Sequence, residues 1–273
     1  MHRRILAIGV CAAAAVMLVA GCSSSSKGST GTTSTSTAAS GGVTSSAPAV
    51  SGTVTVFAAA SLQGTFTTLA RQFETAHPGV TVKLNFGASS ALALQINQGA
   101  PADVFASASA RNMTQVTNAG GASPSTNFVK NAMEVAVPPS NPTHVTALAD
   151  LAKPGVKIAL CQAQVPCGAT AAKVFTNAKL TVKAVTLEAD VKSTLAKVEL
   201  NEVDAGVVYV TDVKAAGSKV KGIEIPADVN ASTAYPIAVL TKAPNSAAAQ
   251  AFTAYVLSPE GQRVLAAAGF EKP

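Results

Sequence analysis

Charged residues make up only 12% of this 273-residue chain, about half the share usual in soluble domains. No acidic or basic run occurs anywhere. That scarcity excludes a nucleic-acid binder working through a charged stripe. The formal charge of +6 shrinks on inspection, because Arg3, Arg4 and Lys27 precede the folded region argued below and their removal leaves 17 Lys and Arg against 14 Asp and Glu. Histidine is almost missing: of three, His77 and His144 stand isolated, which denies zinc its ligands. Nucleotide-binding glycine fingerprints, a Walker lysine loop, a G-x-S-x-G elbow and a His-rich metal motif are all absent. A Ser-His-Asp arrangement would assemble only in the fold, but His77 precedes Pro78 as a helix terminator and His144 lies in a polar loop after Pro142. No catalytic residue, resident cofactor or metal site is therefore expected, and a cell-surface hydrolase is the remaining enzymatic alternative. What the chain has is core: 48% of it is apolar, with Val, Ile, Leu and Phe in periodic patterns throughout. That is ample for one large or two medium domains and excludes a disordered chain.

The first fifty residues are of a different kind. Arg3 and Arg4 precede an apolar run over residues 5–20 that ends in Leu18-Val19-Ala20-Gly21-Cys22. A basic n-region followed by an apolar h-region is the pattern of an export signal, here residues 1–21. Small residues before a cysteine resemble the lipobox of bacterial lipoproteins, in which Cys22 is lipidated and becomes the mature N-terminus. The competing reading is one transmembrane anchor, for which sixteen residues are slightly short. Residues 23–50 contain 16 Ser or Thr among 28, one charge and no aromatic residue. Such a stretch cannot offset its ordering entropy, so residues 22–50 read as a flexible tether reaching about 30 Å. A glycosylated stalk is weaker, with Pro48 the one proline. Cys161 and Cys167 remain as an even pair in an exported protein, where disulfides persist; two free buried thiols are the alternative.

The rest alternates between period-2 and period-3.6 patterns. Strands are expected at residues 53–57, 80–86, 104–105, 133–137, 157–160, 205–210 and 235–240. Between and after them come helices carrying Leu62, Phe66, Leu69 and Phe73, then Leu92, Leu94 and Ile96, then residues 168–178, a face of Val191, Leu195 and Val198, and residues 247–257 and 260–268. Strand–helix–strand alternation signals α/β architecture, with each sheet mostly parallel and flanked by helices. Because the pattern pauses and restarts, two lobes fit: residues 51–133 with 235–273, and residues 134–234, with a ligand cleft between them.

The informative feature is a repeated junction in which a strand ends, a small turn follows and a helix begins. It occurs at Ala59-Ala60-Ser61-Leu62, at Gly87-Ala88-Ser89-Ser90-Ala91 and at Pro166-Cys167-Gly168-Ala169. Each alone reads as ordinary N-capping. Several facing one cleft would pool free N–H groups and helix dipoles into an oxyanion pocket needing no Lys or Arg.

At these junctions the chain resembles the periplasmic molybdate-binding proteins of bacterial ABC transporters. The matching stretches are Thr53-Val-Thr-Val-Phe-Ala-Ala-Ala-Ser-Leu62, Phe86-Gly-Ala-Ser-Ser-Ala-Leu92 and Gln95-Ile-Asn-Gln-Gly-Ala-Pro-Ala-Asp-Val-Phe105. Val165-Pro-Cys-Gly168, Asn201-Glu202, Gly206-Val-Val-Tyr209 and Ala234-Tyr-Pro-Ile-Ala-Val239 follow, so the likeness runs from Thr53 to Phe270. It implies a hinged, two-lobed type II periplasmic binding protein that is not an enzyme. The implied ligands of molybdate, or of tungstate, are the hydroxyl and N–H groups of Ser61 and Ser89, the N–H groups of Cys167 and Val191, and the Tyr209 hydroxyl. Cys167 departs from the best-known members, which carry alanine there, but a backbone donor survives that change. Glu188 or Asp190 would enter only if the metal were octahedral, and tetrahedral coordination is expected. The resemblance further implies a monomer, held through Cys22 to the outer face of the bacterial cell membrane, that hands its cargo to an ABC permease. Sulfate or another oxyanion is the rival ligand. Ferric iron would need clustered anionic oxygens, and the three tyrosines, Tyr209, Tyr235 and Tyr255, sit in differing contexts.

Overall fold

The computed structural model describes residues 50–273. The expected leader at residues 1–21, the lipidation site Cys22 and the tether up to residue 49 lie outside the described residues. β1 (Gly52–Ala59) is a β-branched run with Val54 and Val56 fully buried. A 3-10 turn (Ala60–Leu62) leads straight into α1 (Gln63–Ala76), whose Phe66, Leu69 and Phe73 line one face and are fully buried. His77 caps α1, and the chain turns back as β2 (Val80–Gly87), parallel to β1. There follow α2 (Ser89–Asn97), β3 (Val104–Ala106), α3 (Ala110–Asn118), β4 (Thr126–Val137), β5 (Ile158–Cys161), α4 (Pro166–Asn177) and β6 (Thr186–Glu188). The remainder is α5 (Val191–Glu199), β7 (Ala205–Tyr209), α6 (Val210–Ala216), β8 (Lys221–Glu224), β9 (Ser232–Val239), α7 (Ser246–Leu257) and α8 (Pro259–Ala267).

The strands run in the order β2-β1-β3-β9-β4-β7-β5-β6, with β8 beside β4. Two parallel triplets, β2-β1-β3 and β6-β5-β7, occupy the outer parts, and β9, β4 and β8 pair antiparallel between them. The twelve residues of β4 serve both lobes: from Thr126 to Ala132 they pair with β9, and from Met133 to Val137 with β7 and β8. The chain thus crosses along β4 and returns through β9.

Each lobe has its own core. The few aromatic residues gather in the first, where Phe73 and Phe252 meet edge to face at 5.3 Å and Phe66 lies 6.0 Å from Phe128. The second is chiefly aliphatic, built on Val135, Val174, Val198, Val207 and Val208. Ala60 of the first lobe is buried against that second core, so the two lobes are closed on each other. Asp103, from the Gly-Ala-Pro-Ala-Asp segment, is a fastener: its carboxylate accepts the N–H groups of Thr55 (2.7 Å) and Asn245 (2.6 Å), tying β1 and the start of α7 to β3.

Five elements, the seven-residue α6 among them, differ from the pattern reading. Residues 107–132, where no pattern was legible, hold α3 and the first half of β4. α3 is polar and buries only Asn112, Met113 and Val116, while β4 carries Asn127, Lys130 and Asn131 that interrupt its alternation. β6 and β8 are three- and four-residue strands, exposed over much of their length and too short to show a period. Leu94, grouped with the apolar face of α2, is 58% exposed.

Cys161 and Cys167 are joined by a disulfide that closes the loop between β5 and α4. Gly168 follows that loop, and a Cβ there would stand 2.1 Å from the Gln162 carbonyl oxygen and 2.7 Å from that of Cys161. Both obstacles are backbone and cannot swing away. Gly168→Ala is expected to destabilise the protein by about 1–3 kcal/mol, the range for overpacking, read as a lower urea midpoint at unchanged m-value.

Candidate functional site

Four helix beginnings meet in one cavity between the lobes. It is lined by residues 59–61 and 87–89 and Ala108 from the first lobe, and by Pro166, Cys167, Asp190, Val191 and Tyr209 from the second. The centre of a water-sized sphere can move through only about 20 Å³ there, far below the 300 Å³ or so at which pockets for organic ligands begin. The size suits a small inorganic ion. All five residues singled out from the sequence, Ser61, Ser89, Cys167, Val191 and Tyr209, line this one cavity, although they are spread over nearly 150 positions of the chain.

Ser61 and Ser89 are not N-caps. Ser61 sits inside the 3-10 turn that opens α1, and Ser89 is the first residue of α2; the capping positions belong to Ala59 and Ala88, which have no side-chain acceptor. The serine hydroxyls are thereby spared from capping, and the N–H groups of the first turn stay without intrahelical partners. Ser89 Oγ accepts the Ala108 N–H at 2.9 Å, so its own hydrogen is free to point elsewhere. Ser61 Oγ lies 2.8 Å from the Tyr235 hydroxyl.

The second lobe answers with backbone. Pro166 occupies the first helical position of α4, which costs no hydrogen bond there and leaves the Cys167 N–H next in line. The disulfide pins the Cys167 side chain to the preceding strand, away from any role as a thiolate. Val191 opens α5, and Asp190 caps that helix by accepting the Ser193 N–H at 2.9 Å. Glu188 is outside the cavity lining and accepts the Thr186 hydroxyl at 2.6 Å. Tyr209 ends β7, is 1% exposed, and its hydroxyl, with those of Thr170 and Tyr235 nearby, makes no hydrogen bond of acceptable geometry to protein. A buried unpartnered hydroxyl aimed at a cavity is costly unless something arrives to accept its hydrogen bond. Burial raises the Tyr209 pKa well above the ordinary phenol value, so the group remains a donor at neutral pH.

Neither Lys nor Arg lines the cavity. One buried ion pair stands behind it: Asp212 is fully buried, with Lys192 Nζ at 2.7 Å from Oδ1 and the Tyr209 N–H donating to Oδ2 at 3.2 Å. Burial pushes the Asp212 carboxyl up and Lys192 pulls it back down. Asp212 thus anchors the backbone from which the Tyr209 phenol projects. Among the described residues, no group of three or more His, Cys, Asp or Glu could hold a bare metal cation.

The sequence did not reveal the layer beneath the cavity. Tyr235 on β9 and Asn131 on β4, both almost fully buried, form a polar chain in which Asn131 Nδ2 donates to Thr211 Oγ1 at 2.7 Å and approaches the Tyr235 hydroxyl at 3.5 Å. The available signal was a polar side chain at a core position of each strand, which is expensive unless it has a purpose.

Comparison with known proteins agrees with this geometry. The family model for bacterial extracellular solute-binding proteins matches residues 54–271. The molybdate-binding protein ModA of Mycobacterium tuberculosis is 40% identical over 219 residues, covering 80% of this chain and 84% of that protein. A Bacillus subtilis protein named as an ABC transporter substrate-binding lipoprotein, YvgL, is 33% identical over 270 residues, 96% of each chain. Among solved structures, the substrate-binding domain of a molybdenum ABC transporter from Clostridium difficile superposes with a TM-score of 0.62 at 30% identity, covering 81% of this chain and 99% of that one. By name, all three bind a solute, and two of them do so for an ABC transporter. The family match over residues 54–271 and the 40% identity show that this chain belongs to the bacterial extracellular solute-binding proteins.

Proposed function

We propose that the protein captures molybdate, and tungstate with it, and passes the ion to the permease of an ABC transporter without catalysing a reaction. The observation that carries this reading is the donor set: Ser61 and Ser89 hydroxyls, N–H groups at four helix starts and the unpartnered Tyr209 hydroxyl, around a small cavity of about 20 Å³ without a cationic side chain. Neutral donors can hold a desolvated dianion, because hydrogen bonds to a charged acceptor are about twice as strong as neutral ones. The relative named for molybdate, at 40% identity, supports the choice of ion.

In this mechanism the first lobe supplies Ser61 and Ser89, and the second supplies Cys167, Val191 and Tyr209. Lobe 1 is taken as residues 51–133 and 235–273 and lobe 2 as residues 134–234, hinged where β4 and β9 cross. An ion touching both lobes gains its full set of bonds only when they close, so binding favours the closed state by the energy of the added contacts. Asp190 is spent on capping α5, which fits four-coordinate molybdate held by donors rather than an octahedral metal ligated by carboxylate. Release requires opening, and engagement with the permease supplies the occasion. The protein acts as a monomer tethered through lipidated Cys22 to the outer face of the cell membrane; the run ending at Cys22 and the relative named as a lipoprotein support that placement. Two acyl anchoring signals suffice for stable attachment, where a single chain does not.

A melting-temperature screen with molybdate, tungstate, sulfate and phosphate tests the reading. Molybdate and tungstate are expected to raise the midpoint progressively with concentration, since a ligand of the native state alone stabilises by mass action. A shift with sulfate and none with molybdate would reassign the ligand. Ser61→Ala and Ser89→Ala are each expected to weaken molybdate binding by about 1–3 kcal/mol, the cost of leaving a charged acceptor short of a donor; calorimetric titration measures it, and unchanged affinity in both variants removes the serines from the site.

A further inference from the structure

Tyr235 lies outside the cavity lining, yet its hydroxyl is 2.8 Å from Ser61 Oγ, a contact made across 174 residues of sequence. We infer that Tyr235 is a positioning residue, whose hydroxyl donates to Ser61 Oγ and so obliges Ser61 to point its own hydrogen into the cavity. This rests on the oxyanion reading of the site and adds to it the group that sets the direction of its hydrogen bonds.

The direction follows from chemistry and surroundings. A hydroxyl has one hydrogen to give, and a phenol gives its hydrogen more readily than an alcohol does. The Asn131 Nδ2 amide meets the phenolic oxygen at 3.5 Å and Thr211 Oγ1 at 2.7 Å, and the Tyr209 hydroxyl is a further neighbour, so an amide donor already faces the Tyr235 oxygen. Tyr235 is wholly buried, wedged edge-on between Tyr209 at 6.2 Å and Phe270 at 5.4 Å, so the phenol cannot swing out. Burial also raises its pKa, keeping it in the protonated, donating form. The order becomes Asn131 amide to Tyr235 oxygen, Tyr235 hydrogen to Ser61 oxygen, Ser61 hydrogen to ligand. Ser89 reaches the same state through the Ala108 N–H. With one lone pair of each serine oxygen engaged from behind, the hydrogen is what each hydroxyl turns to the ion. A fully deprotonated dianion is satisfied by that arrangement, whereas an oxyanion that keeps a proton meets serine hydrogens where it needs an acceptor.

The test is a double-mutant cycle on molybdate affinity by calorimetry, using wild type, Tyr235→Phe, Ser61→Ala and the double variant. Wild-type binding is the first control: its absence would strike the proposed function, whereas its presence leaves the inference about Tyr235 to be judged by the variants. Tyr235→Phe is expected to weaken molybdate about fivefold to thirtyfold while Ser61 is present, and to have less than a twofold effect in the Ser61→Ala background, because coupled residues are not additive. Excess phosphate should compete better against molybdate in Tyr235→Phe than in wild type, since Ser61 is then free to accept a proton. An equal loss in both backgrounds, or unaltered phosphate competition, overturns the assignment and leaves Tyr235 as packing. Should Tyr235→Phe fail to fold, Asn131→Leu probes the same chain from one step further back, with an expected loss of about twofold to fivefold that also vanishes in Ser61→Ala; persistence of that loss is the overturning result.

Discussion

The structure is organised around a demand that helix ends create and cannot meet. Each helix begins with N–H groups that have no partner inside the helix, and the 3-10 turn that opens α1 and the first residues of α2, α4 and α5 line the same interlobe cavity. Side chains as small as Ala59, Ala88 and Ala108 keep the approach open. Helix starts favour negative charge without any cationic side chain, and their donors are part of the main chain, so they are already oriented before an ion arrives. The Tyr209 hydroxyl, buried and without a partner, is the side-chain form of the same unmet demand.

Much of the remaining architecture keeps those ends in place. Asp103 fastens β1 to β3 and to the start of α7, behind the first-lobe junctions. The disulfide and the close backbone approach at Gly168 hold the start of α4, and the Asp212–Lys192 pair holds the end of β7. A buried ion pair is poor evidence for stability, since desolvation offsets most of the attraction. Here its geometry serves position: Asp212 accepts the Tyr209 N–H and so fixes the residue whose phenol enters the cavity. The two-lobed arrangement matters for the same reason. Donors drawn from separate cores can converge on an ion and later part, which a single rigid core would not permit.

How far this could be read beforehand varied with the kind of signal. The β-branched run in β1 and the Phe66, Leu69, Phe73 face of α1 were plain because burial imposed a period. α3 and the first half of β4 were not legible, because polar residues at Asn112, Asn127 and Asn131 break the periodicity where tertiary contacts satisfy them. Ser61 and Ser89 were visible as small hydroxyl turns before helices, although their role as caps, the ordinary reading, proved to belong to no side chain in the fold. Tyr235 and Asn131 were invisible as a functional pair, since their meaning depends on contacts across 104 and 174 residues.

What the chain order determined by itself was the local grammar: where strands end, where helices start, and which junctions carry residues small enough to expose their N–H groups. These follow from short-range sterics and hydrophobic period, which are written in neighbouring residues. Only the tertiary structure decided that the junctions face one another, that Tyr209 has no partner and that a phenol from β9 stands behind Ser61. Such facts arise when β4 and β9 bring distant segments within hydrogen-bond reach, and an interaction that weakens within a few ångströms has no trace in a sequence until the chain has folded.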